Sequence, residues 1–286
     1  MTPYSFTPFS MRLPRRLITA DRPLVMAILN ATPDSFYAAS RADGADAIAR
    51  RAERLIADGA DVIDLGAYSS RPGADEVSPQ EETDRLLAAC RAVRSVATDI
   101  PLSVDTFRAE VARIAVEEGG ADIVNDITGG DDPEMLPIVA RLGVPYIAMH
   151  MRGTPATMQS MTQYPDDDPT GDIIARLSDV IERCSQLGIA DVIADPGLGF
   201  AKTMEQNYRV LRQLPIIAQA LRRPLLIGLS RKSMLTKALG IATEDALPST
   251  VAADTMALML GASIIRVHDP REASQTVKLL ELLKNS

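Results

Sequence analysis

Two cationic side chains stand two residues apart in an apolar segment near the end of the chain. The segment, residues 263–268, reads Ser-Ile-Ile-Arg-Val-His and places Arg266 and His268 at the period-2 spacing of a β-strand. Side chains at this spacing point to the same face of a strand. A cation among apolar residues is costly to bury unless an anion meets it. The pair therefore predicts a buried or half-buried site for an anionic group.

A second basic cluster is the Ser-Arg-Lys-Ser motif of residues 230–233, which opens a segment with a helical pattern. N–H groups at a helix start favour an anion such as a carboxylate, although Arg231 and Lys232 are explained equally well as a solvated basic pair. Residues 195–203 read Asp-Pro-Gly-Leu-Gly-Phe-Ala-Lys-Thr. This segment is not a Walker phosphate loop, because its glycines are too close together and alanine precedes the lysine.

Other polar side chains stand where apolar runs of the chain end. They are Asn30, Asp64, Asp105, Asn125 with Asp126, His150, Asp195 and Ser230. A strand that stops at the surface ends in a polar residue for solvation alone, which explains any single position. Carboxylates, amides, a lysine, an arginine and a histidine at the ends of all the runs exceed that requirement. Together they predict one polar site where the strand ends meet.

The histidines and cysteines argue against a zinc site. The chain has two histidines, on different predicted strands, and neither an HExxH motif nor a cysteine cluster. A magnesium held mainly by substrate phosphates needs only one or two protein oxygens and stays open. Asn30 is a plausible single ligand, and a side chain that caps its own turn is the competing interpretation.

The polar positions require elements that carry them to one place. Eight apolar runs span residues 23–30, 61–66, 101–105, 122–126, 145–150, 191–196, 224–230 and 263–268. Runs of this kind fit strands of a parallel sheet covered on both faces. Segments between them have helical period, as in Ile48, Ala52 and Leu55, and several end at a glycine such as Gly59. The pattern predicts an α/β fold, a (β/α)8 TIM barrel, with an open doubly wound sheet as the alternative.

Composition excludes several classes of protein. The 286 residues are 46% hydrophobic and carry a formal net charge of −8, which argues against nucleic acid or an anionic membrane as a partner. Cys90 and Cys184 lack paired spacing, which fits a reducing compartment. Neither a signal peptide nor an apolar stretch of about 20 residues is found, so we expect a cytoplasmic protein. No linker divides the chain, and we expect residues 1–22 to be an extension packing on a single barrel domain, residues 23–286.

Eight short motifs mark the strand ends in a fixed order. They are Asn30-Ala-Thr-Pro-Asp-Ser-Phe36, Ser69-Ser-Arg-Pro-Gly73, Ser103-Val-Asp-Thr106, Asn125-Asp126, Met149-His-Met-Arg-Gly-Thr-Pro155, Asp195-Pro-Gly-Leu-Gly-Phe200, Ser230-Arg-Lys-Ser233 and Arg266-Val-His-Asp269. Taken together they resemble the successive motifs of dihydropteroate synthases, a pterin-binding TIM-barrel family. The first motif, Asn30–Phe36, and the seventh, Ser230–Ser233, are moderately specific alone, whereas eight motifs in sequence over nearly the whole chain are very specific.

The resemblance implies a magnesium-dependent transferase of folate biosynthesis. It would join 6-hydroxymethyl-7,8-dihydropterin diphosphate to 4-aminobenzoate and release pyrophosphate. The implied pterin-binding residues are Asp105, Asn125, Asp195 and Lys232, and the implied magnesium ligand is Asn30. The implied diphosphate-binding residues are Ser70, Arg71, Arg266 and His268. The implied 4-aminobenzoate pocket is formed by Pro72, Phe200, Lys232 and Ser233. Of these, Lys232, Arg71, Arg266 and His268 would be catalytic, because cations stabilise a leaving group that gains charge.

Two positions depart from the family pattern. Ala38 replaces an aspartate that is common in the first loop, so a loop carboxylate near the magnesium would have to come from Asp34. Tyr68 stands where glutamate or a small residue is frequent, and it could simply pack on the surface. Two alternatives stay open: a pterin-binding methyltransferase domain, which would share the fold, and a catalytically silent paralogue that binds pterin or a partner, which only Ala38 favours.

The segment from Thr250 to Gly261, TVAADTMALMLG, is apolar nearly all round. A surface helix of a monomeric barrel is usually more polar on one side. Burial under neighbouring loops would explain the pattern. The family's habit of dimerising through this region instead implies a homodimer.

Overall fold

The computed structural model describes residues 6–31, 41–68, 77–154 and 157–286, apart from the side chains of residues 41–43 and 285. The strands in these residues are β1 (Phe9–Leu13), β2 (Arg16–Ala20), β3 (Leu24–Asn30), β4 (Val62–Gly66), β5 (Leu102–Asp105), β6 (Ile123–Asp126), β7 (Tyr146–Met149), β8 (Val192–Asp195), β9 (Leu226–Ile227) and β10 (Ile264–Val267). Strands β3 to β10 lie inside the eight predicted apolar runs, at most three residues from either end.

Strands β3 to β10 form one parallel sheet in the order β8-β7-β6-β5-β4-β3-β10-β9. The sheet curls until its two outer strands meet, where Ala194 forms a parallel bridge with Leu225 and donates a 2.9 Å hydrogen bond to the carbonyl of Pro224. This ring of eight strands is the predicted TIM barrel rather than an open doubly wound sheet.

Helices alternate with the strands and cover the barrel from outside. They are α1 (Arg41–Ala57), α2 (Pro79–Val96), α3 (Ala109–Glu117), α4 (Met135–Leu142), α5 (Thr170–Gln186), α6 (Met204–Arg212), α7 (Leu214–Leu221), α8 (Ser233–Leu239), α9 (Leu247–Met259) and α10 (Pro270–Asn285), with 3-10 turns at Met158–Ser160, Pro165–Asp167 and Glu244–Ala246. The predicted glycine after α1, Gly59, has φ of +99°, a backbone conformation that side chains with a Cβ rarely adopt. In the described part of the chain, no helix is long and apolar enough to cross a membrane.

The alternation of side chains along each strand sorts the barrel into two layers. Outward residues such as Val25 and Val267 pack under the helices in the main core. Inward residues near the amino ends of the strands, including Met26, Ile123, Ile193 and Ile264, form a separate apolar cluster. The next inward positions, two residues further along, are polar in most strands. They are Asp64, Asp105, Asn125, Asp195 and Arg266, so period 2 itself carries the polar side chains into the mouth of the barrel.

An N-terminal hairpin covers the amino end of the barrel. Strands β1 and β2 pair antiparallel, and their buried side chains Met11, Leu13 and Ala20 join the inner apolar cluster. The backbone N–H of Arg12 donates a 2.8 Å hydrogen bond to the Asp191 carboxylate just before β8. The hairpin therefore keeps water from the apolar inner layer and leaves the opposite, polar end open.

Candidate active site

The side chain of Arg266 lies between two carboxylates of neighbouring strands. Its Nε donates to Asp64 Oδ2 at 2.6 Å, and one Nη donates to Asp105 Oδ2 at 2.7 Å. Asn125 Nδ2 donates to the same Asp64 oxygen at 3.1 Å. The anions that meet Arg266 are thus carboxylates of the protein itself. A diphosphate could be bound only through the remaining N–H groups of the guanidinium.

Burial and neighbouring charges shift the acidity of this cluster. Burial raises the pKa of Asp105 to about 7, and repulsion from nearby Asp64 acts in the same direction. The charge of Arg266 opposes both, because it favours the carboxylate form. For Arg266 itself burial opposes the charge, yet Asp64 and Asp105 together raise its pKa above the ordinary value. Arg266 therefore stays protonated, and the carboxyl group of Asp105 loses its proton less readily than a solvated aspartate does.

Lys232 brings a second cation to the mouth from the loop after β9. Its Nζ donates to the carbonyl of Leu198 and lies 4.8 Å from the ring centroid of Phe200. Burial lowers the pKa of Lys232 to about 8, although the charge of Asp195 favours the ammonium. Asp195 accepts a 2.7 Å hydrogen bond from the N–H of Gly197, and burial raises its pKa. The predicted pterin residues Asp105, Asn125, Asp195 and Lys232 thus share one interacting group of charges and amides.

The ends of β9 and β10 are joined by two consecutive side-chain pairs. Ser230 Oγ lies 3.0 Å from His268 Nδ1 and accepts from the His268 backbone N–H at 3.2 Å. Arg231 donates to both oxygens of Asp269, each at 2.9 Å. Arg231 is therefore part of an ion pair and not of a solvated basic pair. The two contacts hold the loop that carries Lys232 against the strand that carries Arg266.

The predicted 4-aminobenzoate residues lie partly inside the described chain. Phe200 is half-buried beside Lys232, and Ser233 is exposed as the first residue of α8. Ser70, Arg71 and Pro72 lie outside the described residues, as do the loop positions Asp34 and Ala38. The structure thus brings Phe200, Lys232 and Ser233 to one rim.

Tyr68, the second position that departs from the family pattern, packs against an aromatic ring and a guanidinium at the mouth. Its ring meets Phe107 edge-on with centroids 5.3 Å apart, and the Arg108 guanidinium lies 5.6 Å from the Tyr68 ring. Arg108 also pairs with the fully buried carboxylate of Glu82 and donates to the carbonyl of Val77 at 2.9 Å. This contact set ties the start of α2 to the end of β5, which carries Asp105.

Sequence reasoning assigned no role to several residues that shape the site. Asp64 was only one of the polar strand ends, yet it is fully buried and accepts from both Arg266 and Asn125. Its position two residues after the inward Val62 is the signal that could have identified it. Lys202 and His150 lie buried behind the loop of residues 196–203, with Lys202 Nζ 3.1 Å from His150 Nδ1. Asp126 is structural: it accepts from Tyr146 Oη at 2.7 Å and from backbone N–H groups of its own turn.

The described residues place few protein ligands for a metal at the mouth. Among the described residues, no three histidine, cysteine, aspartate or glutamate side chains converge as a metal site would require. Asn30 ends β3 with an exposed side chain, and its Oδ1 lies beside Gly66, where a Cβ would come within 3.3 Å. A single amide oxygen fits a magnesium ion that takes its other ligands from phosphates and water.

Comparison with known proteins places this geometry in a family. Residues 26–268 match the family model described as "Pterin binding enzyme". The dihydropteroate synthase of Synechocystis sp. is 42% identical, over 92% of this chain and 90% of its own length.

Solved structures agree. The dihydropteroate synthase of Yersinia pestis, in a sulfonamide drug complex, is 38% identical, and the two chains superpose with a TM-score of 0.88 over 97% of this chain and 100% of the other. The synthase of Thermus thermophilus, in complex with 4-aminobenzoate, is 37% identical with a TM-score of 0.84, covering 96% of this chain and 100% of the other. The chain therefore belongs to the dihydropteroate synthase family of pterin-binding enzymes and is a transferase.

Proposed function

We propose that the chain condenses 6-hydroxymethyl-7,8-dihydropterin diphosphate with 4-aminobenzoate, giving 7,8-dihydropteroate and pyrophosphate in folate biosynthesis. The observation that carries the proposal is the inward polar layer, in which Asp105, Asn125, Asp195 and Lys232 meet at the open end of the barrel. The related Thermus thermophilus synthase in complex with 4-aminobenzoate supports the second substrate.

The pterin is bound by the polar layer. The aminopyrimidinone edge of a pterin offers N–H donors, which the carboxylates of Asp105 and Asp195 accept, and acceptors, which Lys232 satisfies. Asn125 donates one N–H of its Nδ2 to Asp64, which leaves its carbonyl oxygen and its second N–H for the pterin. Burial of these groups strengthens each contact, because water does not compete.

The diphosphate leaves toward cations. Arg266 and His268 from β10, with Ser70 and Arg71 from the second loop, would hold the phosphate oxygens as charge develops on them. The C–O bond of the pterin methylene then breaks before the amine of 4-aminobenzoate attacks, through a pterin-methylene cation. A positional-isotope experiment on the bound diphosphate checks this dissociative route, which predicts scrambling of the bridging oxygen; no bond cleavage before the amine arrives would contradict it.

Asn30 would hold a magnesium ion that arrives with the diphosphate. Its exposed amide at the end of β3 suits a site in which the phosphates provide most ligands. When bound, the ion would neutralise charge on the departing pyrophosphate.

The 4-aminobenzoate lies at the rim formed by Phe200, Lys232 and Ser233, with Pro72 from the second loop. The ring packs beside Phe200 and its carboxylate is directed toward Lys232 and Ser233. Lys232, with a pKa lowered to about 8 by burial, keeps its ammonium form at neutral pH and can contact both substrates.

The two alternatives are weaker. A methyltransferase domain would share the pterin carboxylates but has no use for the cations Arg71, Arg266 and His268. A catalytically silent binder is suggested only by Ala38 in the first loop.

We further propose a homodimer formed through α9 and a cytoplasmic location. Met256 and Met259 of α9 are 55% and 42% exposed, which leaves an apolar surface without cover in a single chain. The buried, unpaired thiols of Cys90 and Cys184 support a reducing compartment.

A coupled pyrophosphate-release assay tests the proposed reaction. We expect release only when both substrates are present, and a loss of at least about a hundredfold in Lys232→Ala and in Asp195→Ala, because each removes a buried charged contact to the pterin. Full activity in either variant would overturn the residue assignments, and absence of release from the unmodified chain would overturn the function.

A further inference from the structure

A buried ammonium group lies behind the turn of residues 197–200 and contacts the predicted 4-aminobenzoate residue Phe200 only through its backbone carbonyl. Lys202 is 4% exposed, and its Nζ has three hydrogen-bond partners: His150 Nδ1 at 3.1 Å and the carbonyls of Gly197 at 2.9 Å and Phe200 at 3.1 Å. An ammonium has three donors and no acceptor. The three acceptors therefore match the donors of this group one to one.

A chain of side chains holds the imidazole of His150 as an acceptor. Its Nε2 lies 2.8 Å from Asp172 Oδ2, and the same carboxylate pairs with Arg152 at 2.6 Å. Burial lowers the pKa of His150 to about 4, so the ring is neutral at physiological pH. With Nε2–H donated to the aspartate, Nδ1 carries the lone pair that Lys202 needs.

The turn that Lys202 contacts, residues 197–201, has an unusual backbone conformation that must be held in place by hydrogen bonds. Gly197, Gly199 and Ala201 all have positive φ, of 68°, 88° and 50°. Successive peptide groups are held from the protein side: Gly199 N–H donates to Asn207 Oδ1 at 2.6 Å, and the Ala201 carbonyl accepts from Tyr164 Oη at 3.0 Å. Alanine in this conformation is strained, which a fully anchored loop tolerates.

The same loop holds the lysine of the active site. The Leu198 carbonyl, which lies between the two carbonyls that Lys202 binds, accepts from Lys232 Nζ, and the Phe200 ring lies against that ammonium. Any shift of the turn from Gly197 to Phe200 therefore moves both the ring of Phe200 and the position of Lys232 Nζ.

We propose that Lys202 is a positioning residue, whose buried ammonium, accepted by His150, fixes the Gly197–Phe200 turn so that Phe200 and Lys232 form the 4-aminobenzoate pocket. This role rests on the proposed synthase function for its substrate, but the anchoring of the turn can be measured without turnover. Lys202 contributes no group to the reaction; it acts through the two backbone carbonyls.

The charged groups around Lys202 come from several elements. Asp195 of β8 favours its ammonium, as does Asp172 of α5, whereas Lys232 and Arg152 oppose it. Burial is the largest influence and lowers the pKa of Lys202 to about 7. Loss of the proton would leave Nζ with two donors for three acceptors, so the lone pair of Nζ would face a lone pair of one of them.

The test compares Lys202→Met with Lys237→Met, which removes the ammonium of an exposed lysine on α8. In Lys202→Met we expect the KM for 4-aminobenzoate to rise about tenfold or more, because a small misplacement of a binding group has a large effect on its ligand. The KM for the pterin diphosphate should rise by a smaller factor, because only Asp195 and Lys232 of the proposed pterin residues contact the turn, whereas Asp105 and Asn125 do not. Lys237→Met should match the unmodified chain.

A second pair of variants and a measurement independent of activity separate positioning from folding. His150→Asn keeps an acceptor oxygen near the Nδ1 position and should retain most of the affinity for 4-aminobenzoate, whereas His150→Leu should behave like Lys202→Met. Hydrogen exchange of the amides in residues 197–203 should quicken in Lys202→Met and His150→Leu only.

Each result has one meaning for the proposal. Unchanged exchange and an unchanged KM for 4-aminobenzoate in Lys202→Met would overturn the positioning role, as would equal losses for both substrates. If the unmodified chain makes no product, the synthase function fails, and quicker exchange with weaker calorimetric binding of 4-aminobenzoate in Lys202→Met would still support the positioning role.

Discussion

At the scale of residues, the mouth of the barrel depends on charges that hold one another in place. Arg266 is paired with Asp64 and Asp105, and Asp64 also orients the amide of Asn125. Asp64 is fully buried, so the carboxylate is tolerated because both of these partners donate to it. Asp64 is therefore a residue that sets the geometry of the groups proposed to bind the pterin and the diphosphate.

Replacing Asp64 should lower kcat/KM although Asp64 itself is not proposed to contact either substrate. In Asp64→Asn, Arg266 loses one of its two anionic partners and Asn125 loses its charged acceptor. A hydrogen bond to a charged group contributes about 1.5–3 kcal/mol, which corresponds to a fall of about tenfold to a hundredfold in kcat/KM. Steady-state kinetics of the purified variant measures the effect.

Asp58→Asn is the matched control, because Asp58 also pairs with an arginine, Arg271, but at the helical surface, where that guanidinium is 68% exposed. Exposed pairs contribute little, so kinetics of this control should stay unchanged. A normal kcat/KM in Asp64→Asn would mean that Arg266 and Asn125 keep their positions without the carboxylate.

The residues of the site were predictable in part. Polar residues at the ends of apolar runs identify Asp105, Asn125, Asp195 and Arg266, because the ends of parallel strands meet at one face. The partner of each side chain was not predictable, since Asp64 and Arg266 are far apart in the chain and meet only after the barrel closes. In the sequence, Lys202 resembles the lysine of a phosphate loop. The folded chain instead places its Nζ against two backbone carbonyls and a histidine.

At the scale of elements, strand positions were predictable because an apolar run covered on both faces has few alternatives. The N-terminal hairpin was not predicted as strands. Its residues alternate between buried and exposed over only five positions in β1. The paired strands β1 and β2 cover the amino end of the barrel, a surface that exists only after the barrel has closed. Helix α9 shows the same limit: its sequence is apolar nearly all round, yet only one face is buried.

The buried face of α9 contains a carboxyl group whose titration should be measurable. Asp254 is 2% exposed, and its Oδ1 has no hydrogen-bond partner among the described residues. Burial, with repulsion from Asp269, raises the pKa of Asp254 to about 8. The folded chain then binds a proton that the unfolded chain releases near pH 4, so this group's contribution to stability is present below about pH 4 and is lost as pH rises to about 8.

Asp254→Asn should remove this dependence on pH. The free energy of unfolding of the variant minus that of the unmodified chain should grow as pH rises from about 4 to about 8, by at most about 1.4 kcal/mol per pH unit. Urea unfolding at several pH values measures the difference. Its change with pH is independent of any constant effect of the new amide on stability. A difference that does not vary with pH would show that Asp254 titrates normally in the folded chain.

At the scale of the whole molecule, stability and chemistry occupy opposite ends of the barrel. The hairpin and the inner apolar layer close the amino end, while the polar layer faces the open end. The exposed apolar side chains of α9 lie on the outside of the ring of helices. A second copy covering them would leave the mouth of each barrel open to its substrates.

Solution mass tests the proposed homodimer. Met256→Glu introduces a charge on the exposed face of α9 and should convert a dimer to a monomer of about the 30.8 kDa of one chain, measured by light scattering after size-exclusion chromatography. Leu17→Glu is the control, because Leu17 is 64% exposed on the distant hairpin. A monomeric unmodified chain, or a dimer that survives the substitution at Met256, would exclude α9 as the interface.

The proposed reaction of this barrel joins a pterin to 4-aminobenzoate. The most direct measurement incubates the purified chain with magnesium, 6-hydroxymethyl-7,8-dihydropterin diphosphate and 4-aminobenzoate, and quantifies both products by chromatography and mass. We expect 7,8-dihydropteroate and pyrophosphate in equal amounts, and no steady-state formation of either product when 4-aminobenzoate is omitted. Tight binding of the pterin with no dihydropteroate formed would contradict it and identify the chain as a binder rather than a synthase.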